Sequence, residues 1–398
     1  MSYSDVADTS KGPKPLTILQ VIPRLDVGGA ERTTLEIAEA ICAAGGRALV
    51  ATTGGQLEFR IQRAGGEIIH MNADSKNPLT MWQNARLMRR LIREENVDIV
   101  HARSRAPAWS AYWATRRTGT PFVTTYHGTY NEEFGLKRVY NSVMARGRPV
   151  IANSDFIRRL IIERHRVPEE QIVTIPRGAD ITVFSEESVG NERAIKLAEG
   201  WGLIEDPRAI VLMPGRLTRW KGGESMIDAS AQLKEIRGPD FAVLLVGDDD
   251  DSGFRETLQK RIDANDVGDV VYLTGGCQDM AAAYKLSSVV VSASIEPEAF
   301  GRVIVEAQAM SRPVIATSHG GARETVSHGE SGWLYPPGDV EVLAATIHQA
   351  LEMDPSERAH MGLAGRARIH SKYTVSAMQR ATLDVYEQVA GRTFQVLI

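Results

Sequence analysis

The sequence predicts an α/β protein built from two consecutive doubly wound parallel-sheet domains. Three observations lead there. Short apolar runs alternate with amphipathic, helix-length stretches along nearly the whole chain, which is the pattern of parallel strands joined by crossover helices. The alternation lapses in the polar segment 185–206 and then restarts. A length of 398 residues is enough for two separate cores.

The first series offers strands at 17–22, 47–52, 67–71, 98–101, 121–126 and 149–152. Helical patterns lie between them, at 30–43, 79–94 and 107–117. Ser154 is a good N-cap for a helix over 156–164. The second series offers strands at 209–213, 241–246, 270–273, 289–292 and 313–316, with helices at 224–236 and 300–310. Three more helical patterns follow, at 340–352, 356–370 and 375–389. The expected division is a disordered leader over 1–16, a first domain over 17–190 and a second over 191–374. The last segment, 375–398, is expected to form a helix that returns to the first domain.

Composition removes several function classes. A formal net charge of −4 gives no electrostatic reason to bind nucleic acid. No apolar run reaches the roughly 18 residues that span a bilayer, and the polar start of the chain lacks a signal-peptide core. Cys42 and Cys277 are far apart and have no ligand partners at metal spacing. Both read as reduced thiols. The expected location is the cytoplasm, with a peripheral position on the inner face of the membrane kept open.

Three motifs carry chemistry. Gly28-Gly29 lies between the first strand and its helix. A glycine pair lets the backbone approach a ligand closely, and the helix N-terminus offers N–H groups to a phosphate. A plain βα turn explains the pair equally well. The spacing is not GxGxxG, so the nicotinamide-cofactor fingerprint is absent. Second, Arg216 and Lys221 stand five residues apart on the glycine-bounded loop 215–223, directly after a strand. A forked guanidinium and a compact ammonium can grip a diphosphate together. Third, Glu298 and Glu306 are eight residues apart. On one helix they would be offset by about 80°. Pro297 and Gly301 instead place Glu298 in the loop before the helix and Glu306 within it. A carboxylate can accept hydrogen bonds from vicinal hydroxyls, although two surface glutamates would look the same.

Taken together and in this order, these motifs resemble the family-four retaining glycosyltransferases of the GT-B fold. The segment Ile175-Pro176-Arg177-Gly178-Ala179-Asp180 with Phe184 resembles another family element, departing from it at Arg177 and Ala179. His127, in Thr125-Tyr126-His127-Gly128, matches an acceptor-side histidine. The resemblance implies two Rossmann-like domains facing across a cleft. It implies a nucleotide-diphosphate sugar as co-substrate, no metal or other cofactor, and a glycan or glycolipid acceptor. Arg216 and Lys221 would hold the diphosphate, Glu306 the ribose, and Glu298 would face the donor sugar. His127 would hydrogen-bond that sugar. The backbone of Gly28 and Gly29 would approach the donor. The backbone from Phe300 through Gly301 and Arg302 to Val303 would support the diphosphate. The wording of 215–222 further resembles lipopolysaccharide-core members, which points to a hexosyltransferase of the cell envelope.

Other features carry less. Residues 248–251 are four aspartates, read as a solvated loop and not as a metal site. His101, His319 and His328 lack partners at ligand spacing and read as structural or exposed. Arg86, Arg89, Arg90 and Arg93 form a basic helical face. Lys137, Arg138, Arg146 and Arg148 form another, with Leu136, Val139, Tyr140, Val143 and Met144 interleaved, and this one is a candidate for an anionic membrane surface. The alternatives to glycosyl transfer are a 2-epimerase-like or phosphorylase-type enzyme of the same fold, a dehydrogenase, and a non-catalytic nucleotide-sugar-binding module.

Overall fold

The computed structural model describes residues 14–26, 28–130, 135–249 and 253–394. Most of the expected leader lies outside these. Contacts divide the chain into two compact units. The first comprises Met1–Ala152, Ile161–Val173 and Gln379–Ile398, and the second Asn153–Leu160 and Thr174–Met378. The division therefore falls after Val173, ahead of the 185–206 segment. That segment contains the helix Asn191–Gly200, whose Ala194 and Ala198 are buried beside the helix Met280–Leu286.

The first unit is built on a seven-stranded sheet. Its strands are β1 (Thr17–Val21), β2 (Arg47–Thr52), β3 (Glu67–His70), β4 (Ile99–Ala102), β5 (Phe122–Tyr126), β6 (Val150–Ala152) and β7 (Ile172–Thr174), in the order β3-β2-β1-β4-β5-β6-β7. Pairings from β3 through to β6 are parallel. Every residue of β1, β4 and β5 is buried. Helices cover both faces of such a sheet, which is why these strands read as continuous apolar runs.

The second unit holds β8 (Ala209–Pro214), β9 (Phe241–Val246), β10 (Val271–Gly275), β11 (Val289–Ser292), β12 (Val314–Thr317) and β13 (Gly332–Tyr335), in the order β10-β9-β8-β11-β12-β13. All five pairings are parallel. The strands β7 (Ile172–Thr174) and β13 (Gly332–Tyr335) have no counterpart among the strands expected from the sequence. Each is short and neither is a continuous run of buried residues, β7 reading buried, half-buried, half-buried and β13 carrying a glycine and a half-buried leucine. In both sheets the strand order reverses beside the first strand, between β1 and β4 and between β8 and β11. Such switch points are where open α/β sheets bind ligands, at the C-terminal strand ends.

The last helix, Val375–Ala390, joins the first unit from Gln379 onward. Gln379 Nε2 donates to the carbonyl of Glu36 (2.7 Å). Tyr386 Oη lies 2.6 Å from His101 Nδ1, and Thr125 Oγ1 lies 2.7 Å from His101 Nε2. Beside them the buried Arg103 donates twice to Gln20 Oε1, at 2.9 and 2.6 Å. Burial, with the charge of Arg103 and then His127, holds His101 well below its usual pKa. Burial likewise pushes the Tyr386 hydroxyl up to about 12.

Two outcomes follow for this network. Tyr386→Phe leaves His101 Nδ1 without its hydroxyl partner and should cost about 1–3 kcal/mol in denaturant titrations. His101 stays neutral in the fold while the unfolded chain binds a proton near pH 6.5. The unfolded state then binds more protons below that pH, so stability should fall as pH drops from 7.5 toward 5. Melting curves of His101→Asn should show a flatter pH dependence than the native chain.

Candidate active site

The second unit gathers its charged motif residues at its switch point. Arg216 and Lys221 follow β8, and Glu298 follows β11, its neighbour in the sheet. The loop after β8 is tied down on both sides. Gly215 N donates to the Val246 carbonyl and Leu217 N to the Asp248 carbonyl, both at 2.9 Å. Residues 219–221 form a 3-10 turn closed by Gly222, whose φ is +81°. A Cβ at Gly222 would lie 2.0 Å from the Ala293 carbonyl oxygen. Ile295 N donates to the Trp220 carbonyl at 2.8 Å. Only glycine allows both that dihedral and that approach, and the loops carrying Lys221 and Glu298 are thereby stitched together.

Lys221 Nζ lies 2.7 Å from Glu298 Oε1, and Ser294 Oγ donates to the same oxygen at 2.5 Å. The two side chains of the pair are 17% and 19% exposed. Burial works against ionisation of Glu298. The Lys221 charge, hydrogen bonds from Lys221 and Ser294, and the nearby His319 outweigh it, and the carboxyl sits below its usual range. Arg216 is exposed, and no ion pair holds it among the described residues. It is available to an incoming anion.

Glu306 lies in the helix Arg302–Ala309, with Glu298 in the preceding loop. Its carboxylate is buried. Tyr284 donates to Oε2 at 3.2 Å, and Arg302 Nε lies 3.6 Å from Oε1 one turn away. These contacts give the carboxylate a fixed direction. Gly301 is the N-cap of this helix, with φ +86°. Phe300 is buried and packs edge-on against Tyr373, ring centres 5.8 Å apart. Phe300 can therefore contribute only backbone to a ligand. Val303 packs against the core.

Several contributors were missed in the sequence. Gly320 (φ +56°) and Gly321 lie against the Glu298 loop. A Cβ on Gly320 would meet the Glu298 carbonyl oxygen at 2.3 Å, and one on Gly321 would meet Phe300 Cα at 2.5 Å. Gly321 N also donates to the Glu298 carbonyl (2.9 Å). Adjacent glycines just after a strand were the available signal. Ser154 Oγ caps its helix at Ile157 N, as expected, and also donates to the Ala299 carbonyl (2.6 Å). Glu324 completes that cap by accepting from Asp155 N and Phe156 N at 2.9 and 2.7 Å. Ser294 and Tyr284 had no motif to announce them.

The remaining motif residues belong to the first unit. Gly28 is the N-cap of the helix Gly29–Ala43, with φ −176°, an extended geometry open to any residue. His127 follows β5 and is half-buried, its amide facing Tyr130 Oη at 3.4 Å. The segment around Gly178 makes a close approach in the second unit. A Cβ there would fall 2.1 Å from the Thr374 backbone, and Ala179 and Thr374 form a parallel bridge. Phe184 is buried edge-on against Tyr284. Asp248 spends Oδ1 on Gly276 N (2.9 Å), tying two strand ends together. No cluster of three or more potential metal ligands occurs among the described residues.

Two parallel-sheet units, each reversing strand order beside its first strand, define a Rossmann-like α/β class. Comparison with known proteins makes this specific. Residues 27–183 match the model for Glycosyltransferase Family 4, and residues 198–368 match that for Glycosyl transferases group 1. A glycosyltransferase from Rickettsia africae ESF-5 superposes with a TM-score of 0.86 at 35% identity, covering 94% of this chain and 98% of that one. The Anabaena protein HepE in complex with UDP-glucose gives a TM-score of 0.82 at 25% identity, covering 94% and 100%. A phosphatidyl-myo-inositol mannosyltransferase of Mycolicibacterium smegmatis is 28% identical over 79% of this chain and 77% of its own length. The chain belongs to the family-four glycosyltransferases, enzymes of the GT-B fold.

The Lys221–Glu298 pair should behave as one unit. Lys221→Met strands a largely buried carboxylate and Glu298→Gln strands an ammonium. Each should destabilise by about 1–3 kcal/mol, below the cost at a fully buried pair because both groups keep some contact with water. The double variant should lose less than the sum of the two, by at least about 1 kcal/mol in a thermodynamic cycle of chemical denaturation.

Proposed function

We propose that this enzyme moves a hexose from a nucleotide-diphosphate sugar to a hydroxyl of a cell-envelope glycolipid or glycan, with retention of anomeric configuration. The observation that carries the donor reading is the Lys221–Glu298 pair beside the unengaged Arg216, at the switch point of the second sheet. Lys221 spends one N–H on Glu298, and an ammonium has three. The pair therefore holds Lys221 in position while leaving donors for a phosphate oxygen. Arg216 supplies a forked second cation. Together they offset the charge that grows on the departing diphosphate. Glu306 takes the ribose hydroxyls, and the backbone from Phe300 to Val303 meets the diphosphate at the helix start. Glu298 presents its other oxygen to the donor sugar. In the first unit, His127 is assigned a hydrogen bond to the transferred sugar and the Gly28-Gly29 backbone an approach to the donor phosphate or sugar, the roles implied by the family. Two cations balance a diphosphate, so no metal is invoked.

The nucleotide sugar is supported by HepE, whose structure holds UDP-glucose. A glycolipid acceptor is supported by the mannosyltransferase relative, named for phosphatidyl-myo-inositol. Among the described residues, no helix is long and apolar enough to cross a membrane, so access to such an acceptor would use the surface. The patch drawn from the sequence needs correction here. Val143 and Met144 are fully buried, and Arg146 stacks over Trp109 and Tyr112 at 5.1 and 5.3 Å. The cations Lys137, Arg138, Arg146 and Arg148 are exposed as expected, and the exposed apolar residues beside them are Leu136 (87%) and Val139 (59%) of the helix Gly135–Asn141.

Arg216→Ala and Lys221→Ala should each lower turnover by about a hundredfold, with the fold intact by circular dichroism. Near-native rates in both would remove the phosphate role. Transfer should persist in excess chelator. An absolute, reversible need for a divalent ion would contradict this and return attention to residues 248–251. At about 1 kcal/mol per cation, the native chain should co-sediment with anionic vesicles at low salt and release at high salt. A variant with Leu136, Lys137, Arg138 and Val139 changed to glutamine should stay in solution yet still turn over a soluble acceptor. Indifference of the native chain to anionic vesicles would favour a soluble acceptor.

A further inference from the structure

We propose that His319 is a donor-specificity residue whose imidazole hydrogen-bonds a hydroxyl of the transferred sugar beside Glu298. The inference rests on the reading that Glu298 faces that sugar.

His319 follows β12 on a backbone held in place around it. Ser318 N donates to the Tyr335 carbonyl (2.7 Å), and His319 N closes a turn onto Thr317 (2.8 Å). Gly320 and Gly321 then press against the backbone of Glu298 and Phe300. His319 cannot leave this place without breaking the contacts that hold the Glu298 loop. Because Gly320, the very next residue, lies against the Glu298 backbone, His319 sits in the neighbourhood of the Glu298 loop.

Both ring nitrogens of His319 are shielded from solvent, and neither has a hydrogen-bond partner among the described residues. That state is costly, because a shielded nitrogen loses water and gains nothing in exchange. Two other histidines show how this fold treats an imidazole with a structural duty. His101 is bonded through both nitrogens, and His328 Nδ1 accepts from Leu334 N at 3.0 Å. An aliphatic side chain would fill the place of His319 without leaving polar atoms unmet. The residue itself is only half-buried, and rotation about the terminal torsion of histidine is soft. A small turn of the ring can therefore bring a nitrogen to a ligand hydroxyl. The group that restores its hydrogen bond should be neutral and able both to donate and to accept, since the adjacent carboxylate disfavours an anion. A sugar hydroxyl meets these conditions, and Glu298 can accept from the same hydroxyl or its neighbour.

The test uses the full chain and compares sugar nucleotides with the corresponding diphosphates. UDP-glucose, UDP-galactose and GDP-mannose are titrated against UDP and GDP by calorimetry, with native protein, His319→Ala, His319→Asn and Glu298→Gln. His319→Ala should weaken the preferred sugar nucleotide by about tenfold or more while leaving its nucleoside diphosphate unchanged. His319→Asn, which keeps a donor and an acceptor, should recover part of the loss. A deoxy donor lacking the bonded hydroxyl should bind native protein as weakly as it binds His319→Ala. Equal weakening of sugar nucleotide and diphosphate would show that His319 acts through the fold and would overturn the proposal. So would an unchanged His319→Ala alongside a Glu298→Gln variant that loses sugar-dependent binding. If Glu298→Gln also leaves sugar-dependent binding intact, the reading of the Glu298 site fails first, and the inference fails with it. Should His319→Ala not fold, the His319→Asn and deoxy-donor arms decide the matter.

Discussion

The second unit is organised around one ion pair, that of Lys221 with Glu298. Its 2.7 Å contact joins the loop after β8 to the loop after β11. Two charges largely withdrawn from water stabilise a fold only when their geometry is good and their spare hydrogen bonds are met. Ser294 meets one of them. The loops reach this geometry because glycines let backbone touch backbone. Gly222 admits the Ala293 carbonyl, and Gly320 and Gly321 admit the backbone of Glu298 and Phe300. A side chain at any of these would push the loops apart and strand the pair. The same packing places His319, seats Ser154 on the Ala299 carbonyl and fixes the start of the helix that bears Glu306.

This arrangement would suit the proposed transfer from an anionic donor. A lysine held by a carboxylate is in place before any phosphate arrives. A free arginine beside it can then close on the phosphate without first breaking an ion pair. Preorganised charge of this kind stabilises a leaving diphosphate better than mobile charge, because little reorganisation is needed at the moment of bond cleavage. Glu306 follows the same logic. Tyr284 and Arg302 already orient it, so a ribose would meet a carboxylate with a settled direction.

The first unit depends on a different device. His101, Thr125 and Tyr386 form a buried chain of hydrogen bonds that fastens the last helix to the middle of the sheet. Arg103 and Gln20 form a second polar pair next to it. Buried polar networks are stabilising only when complete. Here completion needs residues from β1, β4, β5 and the final helix, so the C-terminal segment belongs to the core of this unit.

The alternation of apolar and amphipathic segments determined the fold class, because a sheet buried on both faces must be built from apolar runs and covered by helices. The sequence by itself also located the charged groups. Arg216, Lys221, Glu298 and Glu306 could be picked out as glycine-bounded cations after a strand and as carboxylates flanking a helix start. It placed Glu298 in a loop and Glu306 in the helix, since proline and glycine break a helix locally. What tertiary structure alone decided is which of these groups meet. Lys221 and Glu298 are separated by 77 residues, and their union depends on β8 and β11 being neighbours. Ser294, Tyr284, Gly320 and His319 carry no local pattern of their own, and each gains its significance from what the sheet order brings against it. The same holds for Val143 and Met144. Spacing alone left them beside surface cations, but a short 3-10 turn at Ser142–Ala145 directs them into the core. Periodicity is a property of neighbours along the chain, whereas burial and pairing are properties of neighbours in space.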